Sequence, residues 1–209
     1  MLAMPVGAAH GAGVPGPGGG VTAAGIAGGV MGALGGGVMA ACEDDPFRLD
    51  NWIADPDTAF LYSLARSEPN LPSGFNMSSR VRYRVESAAA TGNWDFLVNT
   101  VDGRMVLVTP SNFGIDTRAA IAPIEGQTFE TLRTAPADTA RYIRTEPVPV
   151  EVGKVYVVRT NRRPDQFGQQ CTFYGKLEPI EIDVTHGTFR FRFDTSPVCN
   201  NRDLVPPKD

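Results

Sequence analysis

The chain has 209 residues, with 19 Lys and Arg against 23 Asp and Glu, and so a formal net charge of -4. This mildly acidic balance, with no basic run longer than Arg162-Arg163, argues against nucleic acid binding, because phosphate contacts require a basic face. Without its first 41 residues the chain keeps roughly 165 residues, the size of one domain with its own core.

The first 42 residues contain no Lys, Arg, Asp or Glu, whereas Glu43, Asp44 and Asp45 follow at once. Residues 21–41 are apolar and small, which is typical of the hydrophobic and cleavage regions of a secretory signal. We therefore predict a Gly/Ala-rich, low-complexity signal segment at residues 1–41. An uncleaved membrane anchor and a disordered tail are the alternatives.

The end of this segment, Met39-Ala40-Ala41-Cys42, resembles the lipobox of bacterial lipoproteins. Met39 stands where Leu is usual, and no Lys or Arg precedes the apolar run. The resemblance implies that the chain is cut before Cys42 and that Cys42 receives a lipid with acyl chains such as palmitate. It places the protein in the bacterial cell envelope, tethered to a membrane and facing the periplasm or the exterior.

The other two cysteines fit an exported protein. If Cys42 carries lipid, Cys171 and Cys199 remain as one pair, and we predict a disulfide between them. The enclosed loop of about 29 residues makes this bond worth roughly 3.6 kcal/mol. Such bonds persist in an oxidising compartment. Two buried free thiols are the alternative.

Residues 42–57 are acidic and contain two prolines, and we interpret them as a solvated tether. Their aspartates lack the regular spacing of a calcium-binding loop. Beyond the tether, residues 59–64 predict a strand. In residues 81–85, Val81, Tyr83 and Val85 alternate with two arginines, which predicts a half-buried strand. Trp94, Phe96 and Val98 alternate in the same way, and we expect them to share one face.

Asp102-Gly103 predicts a tight hairpin turn, because glycine readily supplies the positive φ that such turns require. Residues 105–108 then form the partner strand. Residues 111–140 are less regular and predict either a short helix or a long loop. Residues 155–158, all Val or Tyr, predict a further strand.

The clearest local pattern is a hairpin near the end of the chain, in which residues 180–184 and 189–193 flank a turn at His186-Gly187. Phe189, Phe191 and Phe193 alternate with arginines and belong to the core. No segment shows a sustained helical period. The fold class is therefore all-β, a single antiparallel β-sandwich-like domain over residues 58–209 that follows the N-terminal signal segment.

Several short segments in order resemble the HmuY-like bacterial lipoproteins over residues 71–193. These segments are Phe75-Asn76-Met77, Asn93-Trp94-Asp95-Phe96, Pro110-Ser111-Asn112-Phe113-Gly114, Val155-Tyr156-Val157-Val158-Arg159-Thr160 and Tyr174-Gly175-Lys176-Leu177. Founding members of the family bind haem and coordinate its iron through paired histidines. Here His186 is the only histidine after Cys42, so a single chain cannot supply two.

The resemblance also permits methionine ligation of haem iron, which would use Met77 or Met105. Trp94 is a candidate for stacking on a ligand. Met105 and Trp94 have core packing as their alternative interpretation, and His186 is an exposed turn residue. Met77 lies near a predicted loop. We therefore treat Met77, Trp94 and Met105 as candidate ligand-binding residues, with haem as a possible cofactor.

The sequence contains no G-x-S-x-G, phosphate loop, C-x-x-C or His-rich metal spacing, so we expect no catalysis and no metal site. The predicted function is that of an exported, lipid-anchored envelope protein with a binding or interaction role. Envelope proteins or a small hydrophobic ligand are the expected partners besides the membrane. The alternative is an HmuY-like lipoprotein that binds haem or another hydrophobic small molecule.

Overall fold

A computed structural model describes residues 52–68, 70–165 and 167–207. The predicted signal segment, Cys42 and most of the predicted tether lie outside these residues. The strands are, in chain order, β1 (Asp57–Tyr62), β2 (Gly74–Asn76), β3 (Val81–Tyr83), β4 (Phe96–Val101), β5 (Arg104–Val108), β6 (Ala120–Ile124), β7 (Val148–Pro149), β8 (Val155–Arg159), β9 (Arg163–Pro164), β10 (Gln170–Cys171), β11 (Tyr174–Asp183) and β12 (Thr188–Thr195).

Ten of these strands form two five-stranded antiparallel sheets that pack face to face. Sheet A has the order β1-β12-β11-β8-β6, and sheet B has the order β3-β2-β4-β5-β7. Strands β9 and β10 form a separate two-stranded hairpin. The prediction of an all-β, sandwich-like domain is confirmed. In the described part of the chain, no helix is long and apolar enough to span a bilayer.

The main core lies between the two sheets. Phe189, Phe191 and Phe193 are at most 1% exposed, as their alternation with arginines predicts. Phe75 from sheet B contacts Phe191 and Phe193 edge to face, with ring centroids 5.3 and 4.9 Å apart. Burial of such rings supplies much of the apolar driving force for folding, and the edge-to-face geometry adds to it.

Both predicted tight turns are present. Strands β4 and β5 pair from Val101 and Arg104 onward, and the intervening Asp102 and Gly103 have φ values of 49° and 73°. Positive φ at both central residues matches the right-handed twist of the flanking strands. The turn at Gly187, with a φ of 60°, joins β11 to β12.

Residues 111–140 differ from the prediction, because they contain strand β6 at the edge of sheet A. Elsewhere this region is irregular, and its helical content is limited to single 3-10 turns at Pro110–Phe113 and Thr139–Arg141. Phe129 and Leu132 nevertheless lie in a second apolar cluster on the outer face of sheet A. The irregular segment therefore acts as a cover for that face.

Strand β3 also differs from the predicted half-buried strand. It spans only three residues at the edge of sheet B, and Val81 is 43% exposed. Tyr83 and Val85 pack on a third apolar cluster, on the outer face of sheet B. Arg82 reaches the carbonyl oxygen of Phe60 in β1.

The strand register defines two ends of the sandwich. At the proximal end β1 begins, β8 ends at Arg159, β11 begins at Tyr174 and β12 ends at Thr195. At the distal end lies the turn between β11 and β12, which contains His186. The hairpin of β9 and β10 connects β8 to β11, so it extends from the proximal end.

Candidate functional site

An apolar groove on the outer face of sheet B contains one of the predicted site residues, Trp94. The groove has a volume of about 280 Å³. It is lined by Leu64, Val85, Glu86, Thr91, Trp94, Leu97, Phe113 and Ile115. Six of these eight side chains are apolar, and Glu86 and Thr91 supply the polar groups. Concave apolar surfaces with few polar groups are typical of small-molecule sites, and this volume is near their lower limit.

Trp94 faces the opposite way from the prediction. Phe96 and Val98 lie in the core between the sheets, whereas Trp94 lies with Leu97 in the cluster on the outer face. The reason is that β4 begins only at Phe96, so the alternation of a strand does not extend back to Trp94. The indole is 3% exposed and forms the wall of the groove.

Phe113 forms the opposing aromatic wall. Its ring and that of Trp94 are nearly perpendicular, at 76°, with centroids 6.2 Å apart. Phe113 ends the 3-10 turn that begins at Pro110, and Gly114 follows with a φ of 75°, a conformation that glycine adopts without strain. Phe113 is 51% exposed, so an apolar partner in the groove would remove ring surface from water.

A buried carboxylate beneath Trp94 fixes the loop that carries it. Asp95 is fully buried and accepts the backbone N–H of Met77 at 2.8 Å and that of Asn161 at 3.0 Å. Its own N–H donates to the carbonyl oxygen of Phe75 at 2.8 Å. Burial raises the pKa of Asp95 to about 6, and the two accepted backbone hydrogen bonds and the nearby Arg163 oppose that rise.

The carbonyl oxygen of Asn93 also holds the loop that carries Trp94. It accepts hydrogen bonds from the Asn76 amide at 2.8 Å and from the Arg163 guanidinium at 3.0 Å. Trp94 is therefore flanked on both sides by residues that are bonded to other parts of the fold. The sequence indicated Trp94 but not the role of its neighbours, because their partners lie 17 to 70 positions away.

The candidate methionines are not in the groove. Met77 and Met105 are 0% and 2% exposed and lie in the core between the sheets. His186, whose side chain is 76% exposed, lies at the distal end. These residues do not converge, so the described part of the chain does not fit haem bound through side-chain ligands. A ligand role for Met77, Trp94 and Met105 stays a prediction.

His186 has an acidic partner, since its Nδ1 lies 2.6 Å from Oδ2 of Asp183. Within the described ranges, no serine, threonine or cysteine side chain forms a hydrogen bond with this imidazole. The described residues also contain no group of three or more His, Cys, Asp or Glu suited to a metal ion. The pair therefore lacks the nucleophile of a catalytic triad.

The predicted disulfide between Cys171 and Cys199 is present, with Cα atoms 5.0 Å apart. It joins strand β10 to the segment that follows β12, at the proximal end. The side-chain oxygen of Asn200 accepts the N–H of Thr172 at 3.0 Å beside it. The bond thus fixes the base of the β9–β10 hairpin against the C-terminal segment.

Comparisons with known proteins assign no relative: no protein-family model, no curated protein and no solved structure matches this chain. The resemblances to lipoproteins stay predictions from sequence.

Proposed function

We propose that this protein is an exported, lipid-anchored protein of the bacterial cell envelope with a binding role and no catalytic activity. The observation that carries the proposal is the Cys171–Cys199 disulfide. Because it pairs two of the three cysteines, Cys42 is left as the one thiol outside it. A structural disulfide supports an oxidising compartment, and an uncharged 41-residue leader supports export through a membrane.

The spacing of the chain suits a tether. Nine residues lie between Cys42 and Trp52, which is 7% exposed and so already packed on the domain. At most about 3.5 Å per residue, this ten-position segment spans up to roughly 35 Å. A lipid on Cys42 would hold the domain near the bilayer, with the proximal end as the point of attachment.

We assign the binding role to the groove, with a small apolar molecule that contains an aromatic ring as the ligand class. The volume of about 280 Å³ is too small for a large macrocycle and suits one or two rings. The edge-to-face pair of Trp94 and Phe113 offers ring faces and edges that favour an aromatic partner.

Export and anchoring are tested by cell fractionation of the native chain and of a Cys42→Ser variant. The native protein should be found in the membrane fraction as a shortened chain, because it is cut and acylated at Cys42. The Cys42→Ser variant should stay at full length. Processing of the variant identical to that of the native chain would contradict the proposal. The double variant Cys171→Ala and Cys199→Ala is the control, because it removes both other cysteines, leaves no new free thiol and should be processed like the native chain.

The binding role is tested with anilinonaphthalene sulfonate, an aromatic fluorescent probe. We expect saturable fluorescence enhancement with the native chain and at least a several-fold weaker affinity for Phe113→Ala. Val152→Ala is the control, since Val152 is also exposed, at 61%, but lies outside the groove. Equal affinity of the native chain and Phe113→Ala would remove the groove from the proposal.

A further inference from the structure

The hairpin of β9 and β10 presents an exposed aromatic ring at the proximal end. Its strands pair Arg163 with Cys171, and its turn is closed by the N–H of Asp165, which donates to the carbonyl oxygen of Gln169 at 2.9 Å. Phe167 lies in this turn and is 83% exposed. The side chain of Asp165 accepts the N–H of Phe167 at 2.8 Å. A single exposed apolar side chain is ordinary on a protein surface, so what distinguishes this ring is what lies beside it.

A second exposed apolar side chain lies at the same end. Ile53 is 81% exposed, and two positions later Asp55 accepts a hydrogen bond from Arg80 at 2.8 Å. Arg80 lies in the connection between β2 and β3, and the carbonyl oxygen of Met77 in that connection accepts the Thr195 hydroxyl at 3.1 Å. Since Thr195 ends β12, Ile53 belongs to the proximal end. Among the large apolar side chains of the described residues, Phe167 and Ile53 are the most exposed.

Four arginines surround the base of the hairpin, and we call them the basic cluster: Arg118, Arg159, Arg162 and Arg163. The backbone N–H groups of Arg118 and Arg162 both donate to the side-chain oxygen of Asn161 at 2.9 Å. The Arg159 guanidinium donates to the carbonyl oxygen of Arg118 at 3.1 Å. Hydrogen bonds therefore fix the backbone that carries the basic cluster.

Two arginines of the basic cluster, Arg118 and Arg162, are exposed to solvent. The segments that hold the cluster, residues 115–119 and 159–171, contain four arginines and two aspartates, Asp116 and Asp165. The salt bridges formed between described residues use other cations, namely Arg66, Arg80, Lys154, His186 and Arg192. Arg163 is half-buried, donates to the carbonyl oxygen of Asn93 and lies near the Asp95 carboxylate, so Arg118 and Arg162 carry the charge that faces solvent. Exposed arginines beside an exposed aromatic ring are the composition that peripheral proteins use on anionic lipid surfaces.

We propose that the proximal end of the domain lies on an anionic lipid bilayer, with Phe167 inserted among the headgroups and the basic cluster in contact with lipid phosphates. The inference rests on the proposed function for one point, that Cys42 holds the chain to the same membrane. The exposed ring, the basic cluster and the beginning of β1 all lie at one end of the sandwich. The anchor brings that end to the surface, and the arginines orient the domain on it.

Tryptophan fluorescence tests this orientation with the whole chain. Phe167→Trp places a reporter in the hairpin turn, and Val152→Trp places a matched reporter before β8, away from the proximal end. Both positions are exposed, so neither change disturbs the core. Each protein is added to vesicles of phosphatidylcholine alone or mixed with phosphatidylglycerol, with some acyl chains brominated as quenchers. The signal of the native chain, which contains Trp52 and Trp94, is subtracted.

We expect bromolipid quenching of Trp at position 167 that is several-fold stronger with phosphatidylglycerol present, and little quenching at position 152. Arg162→Glu combined with Phe167→Trp should reduce the quenching toward its value in neutral vesicles, as should high salt. Equal quenching at both positions, or none at position 167, overturns the inference. If the tryptophan at position 167 is already shielded from water without vesicles, the inference is overturned too. A second copy of the chain would then cover the turn.

The mass of the same preparation separates the two proposals. If Cys42 is not acylated but the reporter at position 167 is quenched selectively, the bilayer contact holds and the anchor fails. If Cys42 is acylated and the reporter is not quenched, the anchor holds and the bilayer contact fails.

Discussion

The carboxylate of Asp95 accepts the backbone N–H of Asn161 at 3.0 Å, although the two residues are 66 positions apart. Asp95 belongs to the loop before β4 in sheet B, and Asn161 follows β8 in sheet A. The same carboxylate accepts the N–H of Met77. One buried side chain thus joins the two sheets at the proximal end and fixes both the wall of the groove and the base of the β9–β10 hairpin.

This carboxylate predicts a pH dependence of stability. Burial raises the pKa of Asp95 from 3.8 to about 6, so the folded state holds the proton more tightly than the unfolded state. The stabilising contribution is present at low pH and is lost as pH rises through about 6. Between about pH 4 and pH 7, the free energy of unfolding of the native chain should therefore fall by on the order of 3 kcal/mol relative to that of Asp95→Asn.

Urea denaturation of both proteins at the two pH values measures this difference. Asp116→Asn, a change at an exposed carboxylate, is the control and should follow the native chain. If the unfolding free energies of the native chain and of Asp95→Asn depend on pH in the same way, burial does not raise the pKa of Asp95.

The disulfide predicts a loss of stability on its removal. Replacing both Cys171 and Cys199 by alanine should lower the free energy of unfolding by roughly 3.6 kcal/mol, because the unfolded chain regains the freedom of a 28-position loop. Reductant should destabilise the native chain and leave the double variant unchanged. Cys42→Ser should keep the full stability. Insensitivity of the native chain to reductant would show that the two thiols are not joined in the protein as isolated.

We expect a side chain at Gly175 in β11 to clash with its neighbours. A Cβ atom there would lie 2.5 Å from Cε of Met77 and 2.8 Å from the carbonyl oxygen of Asp194. The methionine can yield, but the paired backbone of β12 cannot, so Gly175→Ala should cost about 2–3 kcal/mol. Gly126→Ala is the comparison, because its Cβ would meet no atom within 4 Å and only its φ of 71° is unfavourable. Thermal unfolding should place Gly175→Ala clearly below Gly126→Ala, and the reverse order would count against the packing of β11 on Met77.

Two cations lie over the ring of Phe129, in the irregular segment that packs on the outer face of sheet A, and we expect them to stabilise that packing. The Lys176 ammonium lies 4.4 Å from the centroid of its ring, and the Arg192 guanidinium lies 4.1 Å from it. Lys176 also donates to the carbonyl oxygen of Phe129 at 2.6 Å. Phe129→Leu keeps an apolar side chain but removes the ring, and should cost about 1–3 kcal/mol.

The matched variant is Phe113→Leu, at an aromatic ring that is half exposed and has no cation over it among the described contacts. Its cost should stay within about 0.5 kcal/mol. Urea denaturation compares the two variants. Equal losses of unfolding free energy would show that the cations over the Phe129 ring do not stabilise the fold.

The parts of the fold that the sequence predicted well are local. Asp102 and Gly103 determine their turn by their own backbone preferences, and the alternation of Phe189 to Phe193 determines which side of β12 is buried. Strand β6 was missed because Ala120, Ala122 and Pro123 have low strand propensity. Its pairing with β8 outweighs that propensity, and this pairing is not visible in the sequence.

The site was predicted less well for the same reason. Trp94 lines the groove, but the direction of its side chain depends on where β4 begins, and its partner Phe113 comes from a loop 19 positions away. The polar support depends on Asp95 and Asn161, which show no pattern in sequence. Such long-range contacts can be identified only in the folded chain.

The proposed anchor requires that the chain is cut before Cys42 and that Cys42 carries a lipid. Intact-mass measurement of the protein extracted from the membrane fraction tests it most directly. We predict a chain that begins at Cys42, with the added mass of a diacylglycerol and its acyl chains, and with the Cys171–Cys199 bond intact. A chain that still begins at Met1, with an unmodified thiol at Cys42, would contradict the account.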